Sequence, residues 1–361
     1  MINAPAAGLF LALLISTSAS VASDALPSRF QDPLQVPALS SEQAGSSPLM
    51  GVARAGDRMV SVGQRGHIVI SEDQGQSWRQ VAAPVSTDLT AVYFVDDSHG
   101  WIVGHDGVVL HSSDGGLNWA LQLDGVKAAK FMVDYYAQDS LPQDDPDIQA
   151  ARREAEMVAE QAPSLSFLDV WFRNEKEGFV IGAFNLVLKT NDGGVTWEPW
   201  YHRMDNPDFF HLYAISGSGD QVFIAGERGL LLRLDTDAQR FVAMPRPYHG
   251  SFFGVAVSEQ LVVAYGLRGN AYISRDAGQT WEKANIDIQA ALTSGAIDDR
   301  GRILLASQRG HVLESKDGGS SFAPITLAQV RPIYDLTLVG EAGLALVGAS
   351  GLRVETLKQS N

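Results

Sequence analysis

Five stretches of this chain repeat one octapeptide. Residues 71–78 (SEDQGQSW), 112–119 (SSDGGLNW), 190–197 (TNDGGVTW), 274–281 (SRDAGQTW) and 315–322 (SKDGGSSF) all read S/T-x-D-x-G-x-S/T/N-aromatic. Trp78 and Trp119 stand 41 residues apart, as do Trp281 and Phe322, while Trp119 and Trp197 stand 78 apart, one period plus an insertion. A decayed copy ending at Phe241 fills the gap between Trp197 and Trp281. A repeat of about 40 residues holding several short apolar runs is the length of one four-stranded propeller blade. No single unit can bury its own apolar face, so the period dictates a closed array of blades.

A second landmark fixes the number of blades. A strand ending in a tight glycine turn recurs at Gly63–Gly66, Gly104–Gly107, Gly182–Asn185, Gly226–Gly229, Gly266–Gly269, Ser307–Gly310 and Gly348–Gly351. Seven turns predict an all-β, seven-bladed β-propeller with four-stranded blades. Glycine suits such turns because it adopts positive φ without steric cost, and runs such as 91–95 (AVYFV) carry the β-branched and aromatic residues of strands. Within each octapeptide the Asp should accept backbone N–H bonds across its own turn, the Gly should take the left-handed corner and the aromatic residue should pack on its blade. Asp73, Asp114, Asp192, Asp276 and Asp317 are therefore structural; each sits on a different blade, which rules out a shared metal or acid–base centre. After the seventh turn only one strand-like run remains, 352–356, so residues 33–37 (PLQVP) are expected to supply the missing strand of blade seven and close the ring.

The unrepeated residues carry the functional signal. In a blade whose strands run outward from the axis, the turn between strands two and three shares a face with the link to the next blade. The octapeptides lie on the opposite face. Four of the seven turns place an arginine at the same offset, Arg65, Arg228, Arg268 and Arg309, on blades one, four, five and six. They should form an arc on one rim. The chain has a net charge of −15, so such an arc would be a local basic island, suited to carboxylates, which guanidinium groups bind bidentately. The competing expectation is exposed turn arginines paired with neighbouring acids. An insertion at 124–163, with nine acidic and four basic residues, interrupts the repeat after blade two. Its residues 147–161 read as an amphipathic helix with Ile148, Ala151, Ala155 and Val158 on one stripe, capped by Asp144 or Asp147; 126–136 is also helix-compatible. As an inter-blade link it should emerge on the arginine face, where it either grips a partner or merely covers blade two or three.

Residues 1–22 read as a Sec-type signal peptide, with an apolar run from Ala6 to Ile15 and small residues Ser20–Ala22 at the cleavage site. Residues 23–48 form an N-terminal segment and 49–361 the propeller. With no cysteine there is no disulfide, thiolate metal site or lipid-anchoring cysteine. The expectation is an exported, soluble periplasmic protein that is not lipid-anchored. The negative charge disfavours nucleic acid. The eight histidines are scattered, and His67 and His311 occupy matching repeat positions. No metal, cofactor or small-molecule substrate is expected.

The octapeptides resemble the BNR, or Asp-box, repeat. The fuller unit, Leu89 through Gly104 to Trp119, is similar to the photosystem II stability/assembly factor family over about Ser47 to Thr356. That resemblance implies an exported, non-enzymatic seven-bladed propeller that holds a membrane-protein intermediate through an arginine-rich face. Arg65, Arg228, Arg268 and Arg309 match that implication. Blade two carries Asp106 and blade three Asn185 at the arginine position. The partner so implied is a subunit of a membrane or envelope complex, engaged through an acidic segment. Two alternatives exist. Sialidase-type glycoside hydrolases also carry Asp boxes, but they need an arginine cluster, a Tyr–Glu pair and an Asp acid/base; their Phe/Tyr-Arg-Ile-Pro signature is missing, and Arg331-Pro-Ile-Tyr334 is late and scrambled. Non-catalytic glycan binding would use face-exposed Trp171, Trp200 or Tyr201.

Overall fold

The structure is a computed structural model that describes residues 31–340 and 343–356. Seven antiparallel sheets span residues 49–81, 89–123, 167–199, 212–243, 252–283, 292–325 and 335–356, each with its strands paired in sequence order. The first strands of consecutive blades pack on one another, including the first blade on the last, so they line the axis. The core is the set of interfaces between blades. Its second strands are almost wholly apolar and buried, as in Trp101–Val103, Phe179–Ile181 and Val222–Ala225, because each blade is covered on its two faces by the two adjacent blades.

The Asp boxes behave as the sequence requires. In blade one, Ser71 Oγ donates to Asp73 Oδ1 at 2.8 Å, Ser77 N donates to the same oxygen at 2.9 Å, and Trp78 Nε1 donates to Gly75 O at 3.2 Å. Gly75 takes φ +86°. The bonds to the carboxylate recur around Asp114, Asp192, Asp276 and Asp317, and the indole bond recurs at Trp119 and Trp281 but not at Trp197. The hydroxyl and amide donors of Ser77 hold the Asp73 carboxyl down at about 2.

The ring closes differently from expectation. Blade seven has three strands among the described residues, and 33–37 forms turns instead of a strand. Pro33 and Pro37 have no N–H to give a sheet. Pro33 O instead accepts from Ser86 N at 2.9 Å, and Ala83 O accepts from Ala38 N at 3.2 Å, so the segment lies along the link from blade one to blade two. Closure falls to other groups. A Cβ on Gly351 would lie 2.3 Å from Gly45 O, so residues 44–48 cover the blade-seven turn as inter-blade links cover the other turns. Across the same seam, Asp335 Oδ2 accepts from Val52 N of blade one at 2.9 Å.

The insertion forms two helices, α1 (Gly125–Tyr136) and α2 (Pro146–Gln161). Asp124 caps α1 by accepting from Lys127 N at 2.9 Å. The cap of α2 is Asp145, not Asp144 or Asp147, with Asp147 N donating to it at 2.8 Å; Pro146 takes the first helical position, so the cap must precede it. The buried stripe of α2 is Ile148, Ala151, Ala155 and Val158, as its sequence dictates. Together with Ala128, Met132 and Tyr136 of α1 it packs on Val103, Phe167, Leu186 and Tyr201 of blades two and three. The expected signal segment, 1–22, lies outside the described residues.

Candidate functional site

Every turn between the second and third strands is tucked under the following inter-blade link. A Cβ on Gly229, at φ +79°, would lie 1.9 Å from Tyr248 O of the link from blade four to blade five. These contacts put turns and links on one face, opposite the Asp boxes.

The third position of the turn is left-handed in most blades. Arg65 has φ 57°, Arg228 φ 53° and Arg268 φ 59°; Asp106 and Phe184 have φ 55° and 53°. Glycine or asparagine fills this conformation at least cost, yet these five turns hold arginine, aspartate or phenylalanine there. Arg309 differs, because Gly310 alone takes positive φ in that turn. In blade three the alignment differs from the sequence reading. Phe184 occupies the arginine slot, and Asn185, at φ 61°, occupies the glycine slot, where its Oδ1 accepts from Asn206 Nδ2 at 2.9 Å.

Arg65, Arg228, Arg268 and Arg309 are all exposed, and none forms an ion pair among the described residues. Nearby acids are engaged elsewhere. Asp88 Oδ1 accepts from the backbone N of Arg65 at 2.8 Å, and Glu227 Oε2 accepts from His211 N at 3.4 Å. Burial first, and then the charge of Arg65, pushes the neighbouring His67 below the usual histidine range. On the Asp-box face the pattern reverses. Arg58 reaches Glu72 at 2.9 Å, Arg275 reaches Glu282 at 2.7 Å and Arg302 reaches Asp298 at 2.9 Å. Two further exposed arginines, Arg246 and Arg331, stand on links of the turn face; the guanidinium of Arg246 lies 5.7 Å from the Phe210 ring and that of Arg228 5.5 Å from it. The sequence reading missed both because it followed the repeated turns, although links share that face by topology.

The axial mouth on this side is also patterned. In six blades a bulge follows the first residue of the inner strand, and bulges re-aim the extra side chain. Two of these residues, Tyr213 and Phe253, meet across adjacent blades with ring centroids 5.7 Å apart.

The family model described as photosynthesis system II assembly factor YCF48 matches residues 50–141 and 149–245, just over half of the chain, with an internal gap at the start of α2 and the loop before it, and the BNR/Asp-box repeat model matches 272–283. The chain belongs to the YCF48 family. Among curated relatives, photosystem II assembly lipoprotein Ycf48 of Synechococcus sp. (strain CC9902) is 25% identical over 161 residues, 43% of this chain and 47% of the relative. Photosystem II assembly protein Ycf48 of Thermosynechococcus vestitus is 25% identical over 180 residues, 49% of this chain and 42% of the relative. The match thus spans about half the length of these relatives. A solved structure of YCF48 bound to a D1 peptide superposes with a TM-score of 0.62 at 15% identity, covering 90% of this chain and all of that one. YCF48 from Cyanidioschyzon merolae gives 0.64 at 15% identity, covering 88% and 97%. At those identities the structural likeness concerns the fold.

Within this YCF48-family chain, the aromatics considered for glycan binding are not available to a ligand. Trp171, Trp200 and Tyr201 are buried, and Trp200 packs edge-on against Phe179 and Phe241 between blades three and four. Among the described residues no group of His, Asp and Glu could hold a metal ion, and no helix is long and apolar enough to cross a membrane.

Proposed function

We propose that this chain is a non-enzymatic, exported propeller that docks an acidic segment of a membrane or envelope protein and assists assembly of that protein's complex. The observation that carries the reading is the set of exposed arginines at equivalent turn positions, free of ion pairs, on a chain of net charge −15. Guanidinium groups left without carboxylates inside the molecule are suited to carboxylates outside it. Acidic character elsewhere repels non-target anions such as nucleic acid. The solved relative bound to a D1 peptide supports peptide docking as the mode, and the curated relatives' designation as assembly proteins supports the role.

The test is capture of envelope proteins by the tagged full chain, compared with the Arg228→Ala/Arg268→Ala/Arg309→Ala variant. The triple variant should lose the partner while keeping its far-UV spectrum and denaturation midpoint. Unchanged capture defeats the proposal.

A further inference from the structure

On the turn face, α2 and blade three enclose a cavity of about 360 Å³. Pockets for small ligands run from roughly 300 to 1,000 Å³, so this one suits a single large side chain better than a cofactor. Its apolar walls are Met157 and Val158 of α2, Leu165, Phe184 and Leu186 of blade three and its approach, and Phe209 of the link to blade four. Glu154 is the charged residue on the wall.

Three features separate this cavity from incidental surface relief. Phe184 and Met157, 59% and 49% exposed, converge on it, although large apolar side chains gain by burial. Phe184 and Phe209 both hold positive φ, 53° and 52°, a region bulky residues rarely adopt. The cavity is also continuous with the arginine arc. Phe184 N donates to His211 Nδ1 at 2.9 Å, and the two rings lie 4.4 Å apart. His211 N donates to Glu227, the neighbour of Arg228, and the Arg228 guanidinium lies over Phe210, next to Phe209. Blade three thus presents a phenylalanine in the slot where blade four presents an arginine.

We propose that this cavity takes one large apolar side chain of the same acidic segment that the arginines bind, so that the partner is recognised by carboxylates flanking an apolar anchor. This rests on the docking reading above. The insertion then has a role in selectivity: α2 supplies one wall of the anchor pocket.

The experiment uses the full chain and fluorescein-labelled decapeptides of Asp, Glu and Ser, with one leucine walked through the positions, against a leucine-free parent. Burying a leucine side chain should tighten binding roughly tenfold or more in one or two registers, and those peptides should shift the methyl resonance of Met157 in ¹³C-methionine-labelled protein. Met157→Glu, at a half-exposed position, adds a carboxylate that should weaken the parent and every register by a similar factor, and it should lose the register preference. The arginine triple variant should lose every peptide. Equal binding of all registers, or a preference that survives Met157→Glu, overturns the pocket while leaving arginine docking intact. Absence of binding by the parent and every register overturns both readings. A dimer in sedimentation that Met157→Glu dissolves assigns the cavity to a second copy of the chain and overturns the proposal as well.

Discussion

Replacing Asp169 by Asn should remove much of the decline in this propeller's stability between pH 4 and pH 7. Asp169 lies on the inner strand of blade three, where Oδ2 accepts from Ile215 N of blade four at 2.8 Å and Oδ1 from Val170 N at 2.8 Å. Burial by the surrounding blades outweighs these bonds and raises its carboxyl from the ordinary 3.8 to about 7, with the Asp335 carboxylate pushing the same way. Between those pH values the folded chain holds a proton that the unfolded chain has released. Stability should therefore be greatest near pH 4, decline as pH rises to about 7 and stay flat above. Three pH units at 1.36 kcal/mol each give a contribution of about 4 kcal/mol. That is a ceiling, because Asp169 is only partly buried and water that reaches it eases ionisation. Asparagine cannot ionise, but it offers one acceptor to two N–H groups, a loss of about 1–3 kcal/mol. The variant should be less stable than the wild type at pH 4 and equal or more stable at pH 8. Urea unfolding at the two pH values, with slopes compared to confirm that the same transition is read, measures this. Parallel losses at both pH values refute the argument and mean that Asp169 is ionised throughout.

The Asp boxes should give the opposite slope in a lower window. Asp73, Asp276 and Asp317 are held at about 2, so stability present above pH 4 should fall as pH drops toward 2, and Asp73→Asn should make that fall shallower in a thermal-melt series. At the turns, Gly229→Ala puts a Cβ 1.9 Å from Tyr248 O at φ +79°, whereas Gly219→Ala at φ +57° meets nothing within 4 Å. The second should cost about 1–2 kcal/mol from its backbone conformation alone and the first clearly more. Equal denaturation midpoints would show that the link moves aside freely.

The repeat made the propeller legible because its period is set by chemistry that each blade must solve by itself. A Ser–Asp–Gly–Trp turn is self-contained, so Asp114 and its hydrogen bonds could be read without knowing what packs on blade two. The amphipathic stripe of α2 was legible for the same reason. Ring closure was not, because it depends on a meeting between residues about 300 positions apart: Gly45 over Gly351 and Asp335 on Val52. Strand-like composition at 33–37 suggested a fourth strand, yet its two prolines withhold the donors a sheet needs.

The arginine face was legible as a list of positions but not as a surface. Topology put Arg65, Arg228, Arg268 and Arg309 on one side; only the structure shows that their guanidinium groups form no ion pair among the described residues, although Asp88 and Glu227 stand beside Arg65 and Arg228 and accept from backbone N–H groups. The same comparison explains blade three. Its turn sequence, Gly182-Ala-Phe-Asn185, hides the slot because asparagine replaces the glycine that marks the register elsewhere. Once φ values align Asn185 with Gly66 and Phe184 with Arg65, the departure has a location: blade three carries a phenylalanine at the arginine position, and α2 packs beside it. A guanidinium there would replace the apolar ring that Phe184 adds to the wall of Met157, Val158 and Leu165. Phe184 and α2 thus together place an apolar station beside the exposed arginines of the turn face.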